Sequence, residues 1–325
     1  MNGMGTHLRR RLLITFRAAS VAAGGAAAVG TLLGLLGGLA WWLELFAHFQ
    51  LQYALVLTVT ITAQLLLQPR WLAAVWALPL AVNLVFIVPL HLAPVSAGAP
   101  ALRVLHINLN RDLQDARGAL SAIASHQADI VFLQEVTPRW GTAVEQIEGY
   151  RVIISQPRED SRGVAALVRH DAKFTVLANV LQLRADLTDR PTIELIIEME
   201  RKSLALLSAH MKRPSDHENW MIQRAELQAA GDWAERQRGA RRGVVVIGDI
   251  NATAWSSSGR ILLRGNGLRN SQRGFGVQPT WPAHLPWALR IPIDHCFHSA
   301  DLVVVERAVE PGTGSDHLPV MVGVR

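Results

Sequence analysis

The alternation of apolar and polar positions changes character near residue 100. Between Ala18 and Leu43 the chain runs 26 residues without an Asp, Glu, Lys, Arg or His. That exceeds the roughly 20 apolar residues that carry an α-helix across the hydrocarbon core of a bilayer. Two further apolar stretches, "LQYALVLTVTITAQLLL" (51–67) and "WLAAVWALPLAVNLVFIVPL" (71–90), follow after short connections. A secretory signal peptide has a shorter apolar region and is not trailed by two more. A helix lying on a soluble core would keep a charged stripe, which none of these has. The pattern predicts a membrane anchor over 1–92 with three transmembrane helices, at about 18–40, 51–67 and 71–90. The second is short and carries Gln52 and Gln64.

Beyond a Pro/Ala/Gly-rich linker (93–100) the apolar runs shorten to strand length and are separated by turn signals. Strands are predicted at 102–107, 129–134, 151–155, 163–169, 192–200, 203–210, 243–249, 293–299, 302–308 and 318–324, and helices at 113–126 and 216–237. Many strands in consecutive pairs with few helices predict two sheets packed together with helices outside, an α/β arrangement over 101–325.

Charge adds an orientation. Arg9, Arg10, Arg11 and Arg17 precede or enter the first apolar run, "WWLELFAHFQ" holds no Lys or Arg, and Arg70 lies between the second and third runs. Basic residues are retained on the cytoplasmic side. The amino terminus is therefore expected inside the cell (inner or plasma) membrane, and three crossings place the domain after residue 92 outside. The side reverses if the second segment does not cross.

The sequence pI of 10.3 invites a nucleic-acid reading that the distribution of charge disfavours. Five of the 32 basic and one of the 26 acidic residues lie before residue 100, leaving 27 against 25 and a net of +2 in the rest. A nucleic-acid-binding domain more often carries a clear basic excess. The single Cys296 excludes an intramolecular disulfide and a cysteine zinc cage.

Several predicted strands end in a carboxylate, an amide or an imidazole where the apolar pattern stops. These are Asn108 and Asn110, Glu135, His210, Asp249 with Asn251, Asp294 in "PIDHCF", and the pair Asp316–His317 in "GSDHLPV". Taken singly, each has an ordinary reading as a turn cap, a solvated acid or a structural histidine. Gathered at one end of a sandwich, they would form a hard-oxygen metal site beside a general base. Mg2+ prefers oxygen ligands, of which Glu135 is the best carboxylate here, and a His/Asp zinc site is the alternative. A histidine held by an aspartate activates a water, while amides and a second histidine bind phosphoryl oxygens. Together these parts describe hydrolysis of a phosphate ester or anhydride.

The stretches "HINLN", "FLQEV", "SAH", "GDINAT", "PIDHCF" and "GSDHLPV" stand in the order found in the endonuclease/exonuclease/phosphatase superfamily, which the chain resembles over 101–325. With the three apolar segments ahead of it, the chain looks like the membrane-tethered bacterial branch associated with teicoplanin resistance. The resemblance implies a four-layer sandwich of two mixed sheets flanked by helices and a Mg2+-dependent phosphohydrolase, with Mn2+ as the alternative ion. It puts Asn108 and Glu135 at the metal with Asp316 as a further carboxylate, and Asp249 and Asn251 at the attacking water and scissile phosphate. It makes His210 a phosphate-binding histidine and His317 the catalytic histidine oriented by Asp294. Ile107 stands where many relatives carry Trp, and Asn110 where some carry Asp.

Strand alternation puts only one of Asp294 and His295 in the site; Asp294 is the expected one and His295 structural. Trp281, Trp287 and the arginines of 260–273 are candidates for lining a cleft, with core and solvated surface as the ordinary reading. The expected substrate is a phosphate held near the bilayer, such as a lipid-linked phosphate or pyrophosphate. The alternatives are an exported nuclease and a catalytically silent binding domain.

Overall fold

Glycine, alanine and threonine let the first helix approach its neighbours closely. In the computed structural model, which describes residues 2–67, 71–115, 117–183, 188–200 and 202–325, α1 (Asn2–Leu35) packs on α2 (Trp41–Ala47) and α3 (Gln50–Leu67). A Cβ added at Gly34 would stand 2.9 Å from Ala47 Cα, the small-residue packing typical of helices in lipid. Buried polar side chains tie the unit together: Thr60 Oγ1–H donates to Ser20 O (3.1 Å), and Asn83 Nδ2–H of α4 (Trp71–Leu92) donates to Thr31 Oγ1 (2.9 Å).

Two stretches, Arg11–Leu35 and Ala73–Leu92, are long and apolar enough to cross a membrane, and α2 with α3 makes a third only if that pair, bent by 57°, counts as one span. Two features differ from expectation. The first helix ends at Leu35, where Gly37 and Gly38 turn the chain, and the connection ahead of the second expected span forms the short α2, while that span itself is the continuous α3. Arg70 lies outside the described residues.

The chain divides into two units, Met1–Pro89 and Leu90–Arg325. The second contains two six-stranded sheets. In the first sheet β1 (Leu102–Asn108), β2 (Ile130–Gln134), β3 (Tyr150–Gln156), β4 (Val164–Arg169), β11 (Val304–Val309) and β12 (Val320–Val324) lie in the order β11-β12-β1-β2-β4-β3. The second, ordered β5-β6-β7-β8-β10-β9, holds β5 (Thr175–Leu183), β6 (Pro191–Met199), β7 (Lys202–Ser208), β8 (Gly243–Asp249), β9 (Leu268–Asn270) and β10 (Asp294–Ser299).

Their facing sides bury one apolar core that includes Phe132, Leu206, Ile247 and Val322. A second core lies between the first sheet and α5 (Arg117–His126) and α6 (Pro138–Val144), and a third between the second sheet and α7 (His217–Gly239). The result is the expected four layers. Among the described residues only two strand pairs, β1/β2 and β7/β8, are parallel, so those four strands deliver their carboxyl ends in pairs, and there the apolar pattern gives way to polar residues.

Candidate active site

Backbone geometry at the strand ends sets the polar side chains. Glu135 follows β2 with φ +59 and Asn251 follows β8 with φ +51, left-handed conformations that non-glycine residues adopt at a cost and that cluster at functional sites. Gly248 has φ +147, and a Cβ there would collide with Ala209 O and approach Gln134 Nε2. That close approach lets Asp249 N–H reach Gln134 Oε1 of the other sheet at 3.1 Å. The antiparallel register pairs Asp249 with Asp294. His317 arrives from the turn at Gly314, where Ser315 Oγ–H donates to Asn108 O (2.7 Å) and accepts from His317 N–H (3.1 Å).

Asp294, fully buried, is the hub. Its Oδ2 accepts from His317 Nδ1–H at 2.9 Å and from Thr280 Oγ1–H at 2.6 Å, and its Oδ1 accepts from His106 Nε2–H at 3.0 Å. Burial opposes its charge, but His317 and the hydrogen bonds from both imidazoles hold it far below the ordinary carboxylate range. His317 is driven the other way. Burial works against its proton, yet Asp294 and then Asp249 raise it to about 10, which keeps the ring an imidazolium at neutral pH.

Asp249 is pushed up, to about 7, by burial and, through charge, by Asp294 and Glu135 against the pull of His317. His210, also buried, is driven well below its ordinary value by burial and then by Arg190, so its ring is neutral. Two carboxylates and two imidazoles thus sit in opposite protonation regimes, the usual way to separate acid from base in one site.

Asp249 Oδ2 is the meeting point. It lies 3.6 Å from His210 Nε2, 3.7 Å from His317 Nε2, 3.4 Å from Asn108 Nδ2 and 3.3 Å from Asn251 Nδ2. Asn108 Nδ2 also lies 3.3 Å from Glu135 Oε1, so one amide spans two carboxylates. Asn251 is steadied by donation to Met211 O (3.0 Å) and by Gln223 Nε2–H donating to its carbonyl (2.9 Å).

The ligand atoms of Asp249, Asp294 and His317 lie within 4.8 Å of one another and could hold a metal ion. Asp294 already accepts three hydrogen bonds and His317 Nδ1 is engaged, which suits these two to handling a proton instead. The carboxylates of Glu135 and Asp249, bridged by the Asn108 amide nitrogen, form the alternative set of hard oxygens, to which Asn108 would add its own oxygen, now accepting from Asn110 N–H at 3.1 Å, by turning its amide over. Asp294 and Glu135 add negative charge around the buried Asp249, which a hard cation would offset.

Of the residues expected from sequence, Asn108, Glu135, His210, Asp249, Asn251, Asp294 and His317 meet in this cluster. Asp316 joins at its margin: its Oδ2 accepts from Trp281 Nε1–H (3.1 Å), and the Trp281 ring lies 6.5 Å from that of His317. His295 is structural, donating to Pro292 O at 2.8 Å and stacking near Phe297 on the opposite face from Asp294. Trp287 is half exposed, and Arg264, Arg269 and Arg273 are solvent-facing. Asn110 closes an Asx turn with Asp112 N–H (3.0 Å). Sequence reading missed His106, Thr280 and Arg190. His106 was visible as a polar residue between Leu105 and Ile107 inside an apolar run; the others carry no local signal.

A family model described as "Endonuclease/Exonuclease/phosphatase family" matches residues 105–317. No curated protein sequence matches the chain. Among solved structures it is similar to TDP2 of D. rerio complexed with a single-strand DNA product, at 17% identity, TM-score 0.58, covering 69% of this chain and 98% of that one. It is also similar to a mannosyl-6-phosphatase of Bacteroides thetaiotaomicron (18%, 0.55, 69% and 99%) and to the human Nocturnin catalytic domain with bound sulfate (17%, 0.55, 73% and 98%). At these identities the likeness concerns the fold.

Proposed function

Because the chain belongs to the endonuclease/exonuclease/phosphatase family, we propose that it is a membrane-anchored, Mg2+-dependent phosphohydrolase. Its proposed substrate is a lipid-linked phosphate ester or pyrophosphate at the outer face of the cell membrane. The observation that carries the chemistry is Asp249 Oδ2 set between two imidazoles, one of them fixed by the threefold-bonded Asp294.

Glu135 and Asn108, with Asp249 beside them, would hold the divalent ion, Mg2+ or Mn2+. When bound, it would supply charge neutralisation of the phosphoryl oxygens. Asp294 keeps the shared proton on His317 Nδ1, so the imidazolium presents Nε2–H toward Asp249, where phosphoryl oxygens gain charge. Asp249, its Oδ2 set between the two imidazoles, takes the proton of the attacking water. The neutral His210 and the Asn251 amide orient the phosphoryl group as the water oxygen bonds to phosphorus and the bond to the leaving oxygen breaks. Asp316 fits a place beside His317 through Trp281 better than a place among the ligands.

Two features support the membrane location: helices apolar enough to span and the arginines ahead of the first. The near-neutral charge of the second unit favours lipid phosphates over nucleic acid. The likeness to a structure holding a DNA product keeps an exported nuclease as the second reading.

The deciding experiment gives the full chain, in detergent, with Mg2+ or with chelator, a panel of polyprenyl pyrophosphates, phospholipids, inositol phosphates and DNA. Metal-dependent release of phosphate from the lipid substrates is expected. Efficient cleavage of DNA with no lipid turnover would replace this reading with the nuclease. A reporter fused after Arg325 checks the outward orientation.

A further inference from the structure

The loop from Trp281 to Ile291 turns two large apolar side chains to solvent within three positions: Trp287 is 50% exposed and Leu289 54%. The loop is braced rather than slack. Trp281 N–H donates to Ile291 O (3.0 Å) and Ile291 N–H to Trp281 O (2.6 Å), which closes its base. Within it the Arg290 guanidinium donates to Leu285 O (2.6 Å) and Ala283 O (2.8 Å), and Leu289 N–H donates to Pro286 O (2.9 Å). A backbone held in this way has little freedom left to lose when something covers the two side chains.

The chain ahead of the loop indicates what covers them. Leu90–Leu92, the last residues of the apolar stretch Ala73–Leu92, belong to the second unit. Leu90 O accepts from Gly274 N–H (2.7 Å) and Gly276 N–H (2.9 Å), and a Cβ at Gly276 would stand 2.7 Å from the His91 ring. The turn 274–276 is thus fastened to the end of a stretch apolar enough to span. Trp281 follows Gly276 by five positions, a reach of at most about 18 Å.

Charge points the same way. Between Asp249 and Asp294 the chain holds no Asp or Glu but five arginines, Arg260, Arg264, Arg269, Arg273 and Arg290. Arg264, Arg269 and Arg273 are exposed, and Arg273 immediately precedes the fastened turn. Tryptophan is favoured at the level of the lipid headgroups, and clustered arginines attract anionic lipid. A protein partner would also bury a Trp, but no spanning helix would bring it to this stretch.

We propose that the loop Trp281–Ile291, together with Arg273, docks on the anionic headgroup layer of the bilayer that the chain itself spans, with Trp287 and Leu289 inserted below the headgroups. The base of the loop links the docking to the site. Ala283 N–H donates to Asp316 O (2.7 Å), Trp281 Nε1–H donates to Asp316 Oδ2 (3.1 Å), and the Trp281 ring lies 6.5 Å from that of His317. Docking therefore holds the catalytic histidine close to the headgroup phosphates. The inference rests on the membrane-anchored reading and not on the phosphohydrolase chemistry.

Nitroxide labels on introduced cysteines test it, in the full chain reconstituted into vesicles of phosphatidylcholine and phosphatidylglycerol. The positions are Trp287→Cys and Leu289→Cys in the loop, Val85→Cys in α4, and Met221→Cys on α7, which is 50% exposed like Trp287. The native Cys296 is buried and stays unlabelled. Collisions with oxygen, which concentrates in lipid, and with a water-soluble nickel chelate report depth. The oxygen-to-nickel ratio at 287 and 289 should exceed that at 221 at least about fivefold. Leaving out phosphatidylglycerol should lower it at least about twofold, and an unchanged ratio would remove the arginines from the contact.

Labels at 287 and 289 that match 221 while the label at 85 lies in lipid would overturn the docking and leave the anchor standing. A label at 85 that lies in water would remove the membrane-anchored reading and the docking with it. Protection of 287 and 289 from both reagents would mean that a protein surface covers the loop, which also overturns the proposal.

Discussion

Asp294 takes three hydrogen bonds on two oxygens, and each donor has a separable consequence. Removing the imidazole it orients, by His317→Ala, should lower kcat by about a thousandfold; circular dichroism should be unchanged, and a loss below tenfold would remove His317 from the chemistry. His106 touches no reacting atom and acts by fixing the Asp294 carboxylate. His106→Leu should therefore lower kcat by about tenfold to a hundredfold at near-constant KM. His106→Gln, whose amide reaches the same oxygen, should recover most of that loss. Equal kcat losses in both variants would point to packing alone.

His295 gives a pH prediction of known sign. Folded, it is held down to about 3 by burial and then by the nearby Arg307, against 6.5 for the free group. The unfolded chain takes up the proton first as pH falls. Its contribution is therefore fully present above about pH 6.5 and lost progressively toward pH 3. Urea midpoints should drop between pH 7 and pH 5, and His295→Gln should flatten that drop while lowering the midpoint at pH 7.

At the scale of elements, the legible parts of the sequence were those where pattern and position agree. The two long helices of the second unit, α5 and α7, and ten of its strands follow from periodicity, because one face of each is buried against a core. β5 escaped because a bulge between Val176 and Ala178 breaks its period of two and, as an edge strand, it leaves Leu177 and Val180 exposed. β9 has three residues and α6 seven, too few for any period. The second apolar segment coincides with α3, and what its hydropathy did not register is the short α2 ahead of it, bent away by 57°.

Site residues beside a strand end were legible, since an Asn, Glu or Asp there interrupts an apolar run. Thr280 and Arg190 were not, because Thr280 meets Asp294 of β10 and Arg190 meets the charge of Glu226 on α7, relations that no local pattern records. The element-scale prediction concerns Gly248: Gly248→Ala would drive a Cβ into Ala209 O and must displace Asp249. Activity should fall at least tenfold with little change in helix or sheet content by circular dichroism.

Across the whole second unit, the site is a seam between sheets rather than the property of either. Asn108, Glu135 and His317 belong to the first, and His210, Asp249 and Asp294 to the second. Gln134 links the two through the Asp249 amide. The metal-dependent reading predicts that chelation removes activity without unfolding the domain, because the cores hold it together independently of any ion. Loss of the thermal transition on adding chelator would show instead that the ion is part of the fold.

The strand order has a consequence in time. β12 lies between β11 and β1 and pairs with both, although more than two hundred residues separate it from β1 along the chain. During synthesis β1 emerges more than two hundred residues before β12, and the edge that β12 covers stays unpaired over that interval. Such an edge invites pairing with other chains. A nascent chain therefore carries an open sheet edge while all the intervening strands are made, and His317 reaches Asp294 in the same event that inserts β12 between β11 and β1.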